Sequence, residues 1–226
     1  MSLDQEKAAA ARASLKYIHD GDIVGLGTGS TAKFVVEGLA EMVRAGMKVQ
    51  CIPTSVRTRD LAASLGITLT TLEQHPHINV TIDGADEFDP QLNLTKGGGG
   101  ALLREKIVAS ASDKLVIIAD STKQVPMLGA FPLPVEVIPF AETLIAQRIT
   151  EFGAAVKLRM SADGKPFITD EGHHILDCKF AQIPDPPELA RQLECMPGIV
   201  EHGLFVGMAD VVIVGKGDGV IELERN

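Results

Sequence analysis

Short apolar runs alternate with amphipathic stretches through the first half of the chain. Ala8 to Ile18 has helical composition, and Ile23-Val24-Gly25-Leu26 then runs into Gly27-Thr28-Gly29-Ser30-Thr31. From Phe34 to Val43 apolar positions recur at helical spacing, so this portion predicts strand, glycine turn, helix. The pattern returns as a strand around Val49 to Ile52, a helix from Ser55 to Leu65, and strands over Ile67 to Leu69 and Ile78 to Ile82. Further on, Ala101 to Ser112 reads as a helix. Leu115-Val116-Ile117-Ile118-Ala119 is apolar throughout, as a strand covered on both faces would be, and Asp120 to Lys123 sits at its carboxyl end. Strands alternating with helices predict a parallel sheet with helices on its faces.

The texture changes at Phe131-Pro132-Leu133-Pro134, where two prolines break regular structure. Beyond it come a helix from Ala141 to Phe152, a strand near Ala155 to Arg159, and Pro166 to Thr169 and His174 to Lys179 flanking the turn residues Asp170-Glu171-Gly172. Pro186-Pro187 opens a helix through Glu194, and Ile199 to Val206 reads as a strand. Ala209 to Val214 and Val220 to Leu223 resume strand character, as if the chain returned to its first sheet. The expected fold is α/β: a Rossmann-like, doubly wound, mostly parallel domain over residues 1–131 and 207–226, with a smaller α+β, ferredoxin-like domain inserted at 132–206. No internal repeat or low-complexity segment is visible.

With 226 residues, 45% of them hydrophobic, the chain can bury a substantial core. A formal net charge of -9 argues against nucleic acid or an acidic membrane as partner, because both need a basic field. An anionic ligand would need a local cationic pocket. Cys51, Cys178 and Cys195 have no close pairing or metal-like spacing, which fits buried, reduced thiols. The polar, alanine-rich stretch Met1 to Arg12 lacks the apolar core of a signal peptide, and no run approaches a membrane span. A cytoplasmic location is expected.

The densest chemistry lies between Asp83 and Glu105. Asp83-Gly84-Ala85-Asp86-Glu87, Lys96-Gly97-Gly98-Gly99-Gly100 and Arg104-Glu105 put carboxylates, a lysine and a glycine run into one stretch. Glycines let backbone amides approach a ligand, carboxylates move protons, and an ammonium steadies negative charge. In doubly wound sheets the ligand crevice lies beyond the carboxyl ends of the strands. Thr28 to Thr31, Asp83 to Asp86, Lys96 to Gly99 and Lys123 all fall at or near such ends. Any one of these is ordinarily a turn or a solvated side chain; four converging segments indicate a site.

Gly27-Thr28-Gly29-Ser30-Thr31-Ala32 also satisfies the dinucleotide fingerprint in its alanine-ended form. Its acidic partner is missing, since no Asp or Glu lies between Glu41 and Asp60 where a ribose-binding carboxylate would end the second strand. A hydroxyl-rich turn at a helix N-terminus still suits a phosphate monoester. His75, His77, His173 and His174 share no zinc-like spacing with carboxylates or cysteines, and no metal is expected.

Taken in order, Gly25-Leu26-Gly27-Thr28-Gly29-Ser30-Thr31, Asp83-Gly84-Ala85-Asp86-Glu87, Lys96-Gly97-Gly98-Gly99 through Arg104-Glu105-Lys106, Phe131-Pro132-Leu133-Pro134-Val135-Glu136, and Pro197-Gly198-Ile199-Val200 with Gly203-Leu204-Phe205 span nearly the whole chain. On these motifs it resembles the type A ribose-5-phosphate isomerase family. Gly100 extends the family's glycine run without removing a reactive group. The resemblance implies interconversion of ribose 5-phosphate and ribulose 5-phosphate through an enediolate, without metal or organic cofactor, in the non-oxidative pentose phosphate pathway. It implies Glu105 as the base between C1 and C2, and Lys96 with the amides of Gly97, Gly98 and Gly99 as stabilisers of charge on the substrate oxygens. Asp83 and Asp86 would bind sugar hydroxyls, with Gly84 and Ala85 beside them, and Asp83 would also move a proton in ring opening and between oxygens. Thr28, Gly29, Ser30 and Thr31 with Lys123, and Lys7 on the first helix, would hold the phosphate. A homodimer or homotetramer is implied, with the second module as interface candidate.

The alternative from another class is a sugar-phosphate sensor of related fold. Nothing in the chain supplies an output segment such as a basic helix-turn-helix, and a sensor has no need of both Lys96 and Glu105 beside a glycine cradle. Amino-sugar-phosphate deaminases and coenzyme A transferases share this architecture but differ in motif.

Overall fold

The computed structural model describes residues 2–217 and 219–225. In chain order the elements are α1 (Leu3–Ser14), β1 (Ile23–Leu26), α2 (Ala32–Arg44), β2 (Gln50–Pro53), α3 (Val56–Ser64), β3 (Val80–Gly84), β4 (Glu87–Phe88), β5 (Leu94–Thr95), α4 (Leu102–Ser110) and β6 (Leu115–Asp120). They continue with β7 (Leu133–Val137), α5 (Glu142–Glu151), β8 (Ala155–Leu158), β9 (His174–Lys179), α6 (Pro186–Glu194), β10 (Ile199–His202), β11 (Leu204–Phe205), β12 (Val211–Lys216) and β13 (Gly219–Glu224). The chain divides into two compact units: residues up to Ala85 with Arg104–Lys123 and Met208 onward, and Asp86–Leu103 with Gln124–Gly207.

The first unit is a six-stranded sheet in the order β13-β12-β6-β3-β1-β2, parallel except for the β12–β13 hairpin. All six residues of β6 are buried, as its apolar run requires of a central strand. One face packs Val24, Leu26, Ile82, Val116 and Ile118 against Val35, Val36 and Leu39 of the amphipathic α2 and against Ala10 and Ala11 of α1. The other face holds Ile52, Ile78 and Val108. β2 and β3 lie on opposite sides of β1, so the order reverses there, which makes the carboxyl ends of β1 and β3 the expected ligand crevice.

In the second unit β7, β9, β8 and β10 form an antiparallel sheet in the order β10-β7-β9-β8. With α5 and α6 this is the βαββαβ, ferredoxin-like arrangement. Leu133, Val135 and Val137 alternate toward a core shared with Ile145, Ile149, Leu176 and Leu193, leaving Pro134 and Glu136 on the opposite face. A second small sheet joins β4, β5 and β11.

Several elements differ from those the pattern predicts. α1 begins at Leu3, ahead of the alanine run, because Ser2 and Gln5 form a capping box. The strands expected at 67–69 and 166–169 are reduced to isolated bridges, Cys51 with Leu69 and Met160 with Pro166. The run 199–206 is broken at Gly203, where a Cβ would lie 2.2 Å from the Lys96 carbonyl oxygen, so its halves enter different sheets. β4 and β5 are two residues each, too short for any periodicity to reveal. Residues 86–103 and 124–131 group with the second unit. Glu87 there accepts hydrogen bonds from the backbone N–H of Gly129 and Phe131, a long-range closure that local pattern cannot display.

Candidate active site

In the first unit, the turn after β1 is shaped by Asp83. A Cβ on Gly27 would stand 2.1 Å from the Asp83 Oδ1, so only glycine lets the turn lie against that carboxylate. The same Oδ1 accepts from Thr28 N–H at 3.1 Å and from Gly84 N–H at 2.7 Å. Asp83 is 1% exposed, and its position at the end of β3 follows from the pairing of β3 between β1 and β6. Thr28 Oγ1 is within 2.8 Å of Thr54 Oγ1 and Ser55 Oγ and 3.1 Å of Thr58 Oγ1. Its hydroxyl is thus engaged by the turn after β2. Gly29 has φ +129, and exposed Ser30 and buried Thr31 lead into α2.

Glu105 occupies the first turn of α4 and is 3% exposed. Ser112, just past that helix, bonds Thr81 near the start of β3 at 2.7 Å, so α4 runs antiparallel to β3.

The loop after β6 carries Lys123. Asp120 Oδ1 accepts from Thr122 N–H at 3.0 Å, and Glu6 of α1 accepts from Ser121 N–H at 3.0 Å and Ser121 Oγ at 2.7 Å. Gly217 N–H reaches the other Glu6 oxygen at 3.3 Å. Lys7, next to Glu6, pairs with Asp4 at 3.4 Å. The Ser121 hydroxyl and then its amide hold the Glu6 carboxyl below its ordinary value of 4.5. A depressed carboxyl stabilises the fold above its unfolded value and loses that contribution as pH falls through the lower folded value. Glu6→Gln is therefore expected to flatten the acid-side fall in Tm below about pH 4.5, measured by thermal melts at stepped pH.

In the second unit, Asp86 and the glycine turn are joined. Asp86 N–H donates to Thr95 O at 2.8 Å, and Gly98 N–H donates to Asp86 Oδ2 at 2.7 Å. A Cβ on Gly98 would be 2.6 Å from Asp86 Oδ1. Gly97 has φ +98, and exposed Gly99 follows Gly98 at the tip. Lys96 is 2% exposed, with Nζ 5.3 Å from the centre of the buried Phe205 ring. The Gly98 amide thus serves the Asp86 carboxylate, whereas the resemblance implies all three glycine amides for substrate oxygens.

Sequence reasoning missed Glu6, the hydroxyls of Thr54, Ser55 and Thr58, and Arg159 with Asp177, whose guanidinium reaches the glycine turn. Pro53-Thr54-Ser55 at the end of a predicted strand carried a signal for the hydroxyls. Glu6 and Arg159 carried none, since each acts through residues distant in the chain. His77 pairs with Asp113, His173 with Glu136 and His174 with Glu142. Among the described residues, no group of three or more His, Cys, Asp or Glu could hold a metal ion.

The strand order defines an α/β protein of the doubly wound class, a class whose small-ligand sites lie at the topological switch point, where the polar residues described here stand. The sequence pattern of Ribose 5-phosphate isomerase A (phosphoriboisomerase A) matches residues 50–219. Ribose-5-phosphate isomerase A of Bradyrhizobium diazoefficiens is 52% identical over 100% of this chain and 98% of its own. The protein of that name from Parvibaculum lavamentivorans is 53% identical over 97% of this chain and 98% of its own. A D-ribose-5-phosphate isomerase solved in complex with phospho-erythronic acid superposes with a TM-score of 0.98 at 40% identity, covering 100% of both chains. The chain belongs to the ribose-5-phosphate isomerase A family.

Proposed function

We propose that the chain interconverts D-ribose 5-phosphate and D-ribulose 5-phosphate, as an aldose-ketose isomerase acting through an enediolate without metal or organic cofactor. Full-length identity above half to relatives named for this activity carries the reading, and none of those relatives is named as a sensor. The residue chemistry supports it. Glu105 takes the proton from C2 of the open-chain aldose and returns it to C1, while the proton of the C2 hydroxyl moves to the C1 oxygen. Asp83 carries that oxygen-to-oxygen transfer and assists ring opening, and Asp86 binds a sugar hydroxyl. Lys96, with the amides of the glycine turn, stabilises the enediolate oxygen.

Thr28 to Thr31, Lys123 and Lys7 hold the phosphate. The acidic chain thereby presents an anion with a helix N-terminus and two ammonium groups. Lys123→Ala is expected to raise KM by about tenfold, a lost charge-assisted bond of 1.5–3 kcal/mol at most, with kcat changed far less. Steady-state kinetics on ribose 5-phosphate measures the split; an unchanged KM removes Lys123 from the phosphate site.

The decisive test follows ketose formation from ribose 5-phosphate in the presence of a chelator. Absence of conversion by the purified protein would refute the isomerase reading. The reaction belongs to the non-oxidative pentose phosphate pathway, and the free thiols of Cys51, Cys178 and Cys195, the last exposed and not buried as expected, suit a reducing cytoplasm. We take the second unit as the face of a homodimer or homotetramer, because Phe140 is 97% exposed beside the exposed Ile138 and Leu144. Sedimentation equilibrium is expected to give a dimer or tetramer mass; a monomer would remove this assignment.

A further inference from the structure

Arg159, at the end of β8, uses every side of its guanidinium inside the second unit. Nε and Nη2 donate to the two oxygens of Asp177 on β9, a bidentate pair. Nη1 donates to the carbonyl oxygens of Gly97 at 2.9 Å and Gly98 at 3.2 Å. The ring of Phe167 lies 5.9 Å from the guanidinium carbon, and a Cβ on Gly100 would stand 2.5 Å from that ring. Held on three sides, the side chain is 14% exposed. Such a fork is fixed in direction before any ligand arrives.

A trans peptide points its C=O and N–H in opposite directions. Carbonyls 97 and 98 both turned onto Nη1 therefore turn the N–H groups of Gly98 and Gly99 away from it, to a common side. The Gly98 N–H confirms this side, since it meets Asp86 Oδ2 at 2.7 Å. The Gly99 N–H, on the exposed residue at the tip, is thereby aimed outward beside the Asp86 carboxylate. The Gly97–Gly98 plane is also held by Gly100 N–H on the Gly97 carbonyl at 3.0 Å and by Asp86 on the Gly98 N–H, so the Gly98–Gly99 plane is the one that Arg159 fixes. The guanidinium also polarises both peptides, making their N–H groups better donors to an anion.

We propose that Arg159, braced by Asp177, is a positioning residue of the isomerase: it sets the orientation of the Gly98–Gly99 peptide, so that Gly99 N–H faces the developing enediolate oxygen while Gly98 N–H holds Asp86. This rests on the isomerase reading above. It narrows the glycine cradle to one amide for the reacting oxygen, and gives a second-unit ion pair a part in the rate.

The test compares wild type, Arg159→Lys, Arg159→Ala and Asp177→Asn in isomerase kinetics, with thermal melts of each. Arg159→Ala is expected to lose about 10- to 100-fold in kcat, part of the loss seen when an oxyanion donor is removed, with KM within about threefold. Added guanidinium is expected to restore several-fold activity to Arg159→Ala and none to wild type. Phospho-erythronic acid, which carries a carboxylate as well as a phosphate, is expected to bind Arg159→Lys at least about fivefold more weakly than wild type, while inorganic phosphate binds both equally. That comparison stands even where Arg159→Ala fails to fold. A folded Arg159→Ala with wild-type kcat overturns the proposal, as does unchanged phospho-erythronic acid binding by Arg159→Lys. Inactive wild type refutes the isomerase reading itself, and active wild type with indifferent Arg159 variants refutes only the positioning role.

Discussion

Glu105→Gln is expected to lower kcat by about 10²- to 10⁴-fold and leave KM for ribose 5-phosphate within a few-fold of wild type. The substitution keeps shape and volume at a site 3% exposed, so packing around the first turn of α4 is preserved. On the proposed mechanism, what it removes is the ability to accept a proton from carbon, an interaction made only on the way to the enediolate. An equal loss in kcat and kcat/KM is the signature of that kind of group. Exchange of the C2 proton with solvent deuterium gives a second readout: the variant should lose exchange together with turnover. A Glu105→Gln protein as active as wild type would place the base elsewhere.

Lys96→Gln is expected to cost about 10²- to 10³-fold in kcat, corresponding to about 2.7–4 kcal/mol for a lost oxyanion stabiliser. Its burial raises the weight of its charge, because an ammonium shielded from water interacts more strongly with a developing oxyanion than one in solvent. Nζ lies 5.3 Å from the centre of the Phe205 ring, a cation–π contact at the end of β5. Glutamine retains a donor but no charge, so the loss should appear in kcat more than in KM. Melting temperature separates this from destabilisation: a fall in Tm large enough to unfold the variant at assay temperature would assign the loss to folding.

Much of this was legible along the chain because it is written in short-range patterns. The 2- and 3.6-residue periods announced β1, α2, β2, α3 and β6, and the apolar run at 115–119 marked β6 as central. Gly27 through Thr31 and Lys96 through Gly99 were visible as glycine-rich turns, since tight approach leaves few alternatives to glycine. The motif order from Gly25 to Phe205 carried the family, and the wound sheet and its βαββαβ companion both follow the expected layers. What escaped is long-range. β4, β5 and β11 are two-residue strands stabilised by one another, Glu87 closes onto Gly129 and Phe131, and Gly203 splits an otherwise continuous apolar run.

The sequence by itself determined which residue types stand at which turns: a glycine-rich run with hydroxyls, paired carboxylates, a lysine before four glycines, and a glutamate opening a helix. Those choices constrain backbone conformation and available chemistry, and both are local properties of a peptide. Only the tertiary structure decided how the groups are used. Asp83 shapes the Gly27 turn through Oδ1, Glu6 braces the Lys123 loop, the Gly98 amide belongs to Asp86, and Arg159 donates to the carbonyl of Gly97. Each of these is a hydrogen bond between residues separated by 12 to 115 positions. Their directions depend on where strands and helices place the backbone, which no pattern of residue types along the chain encodes.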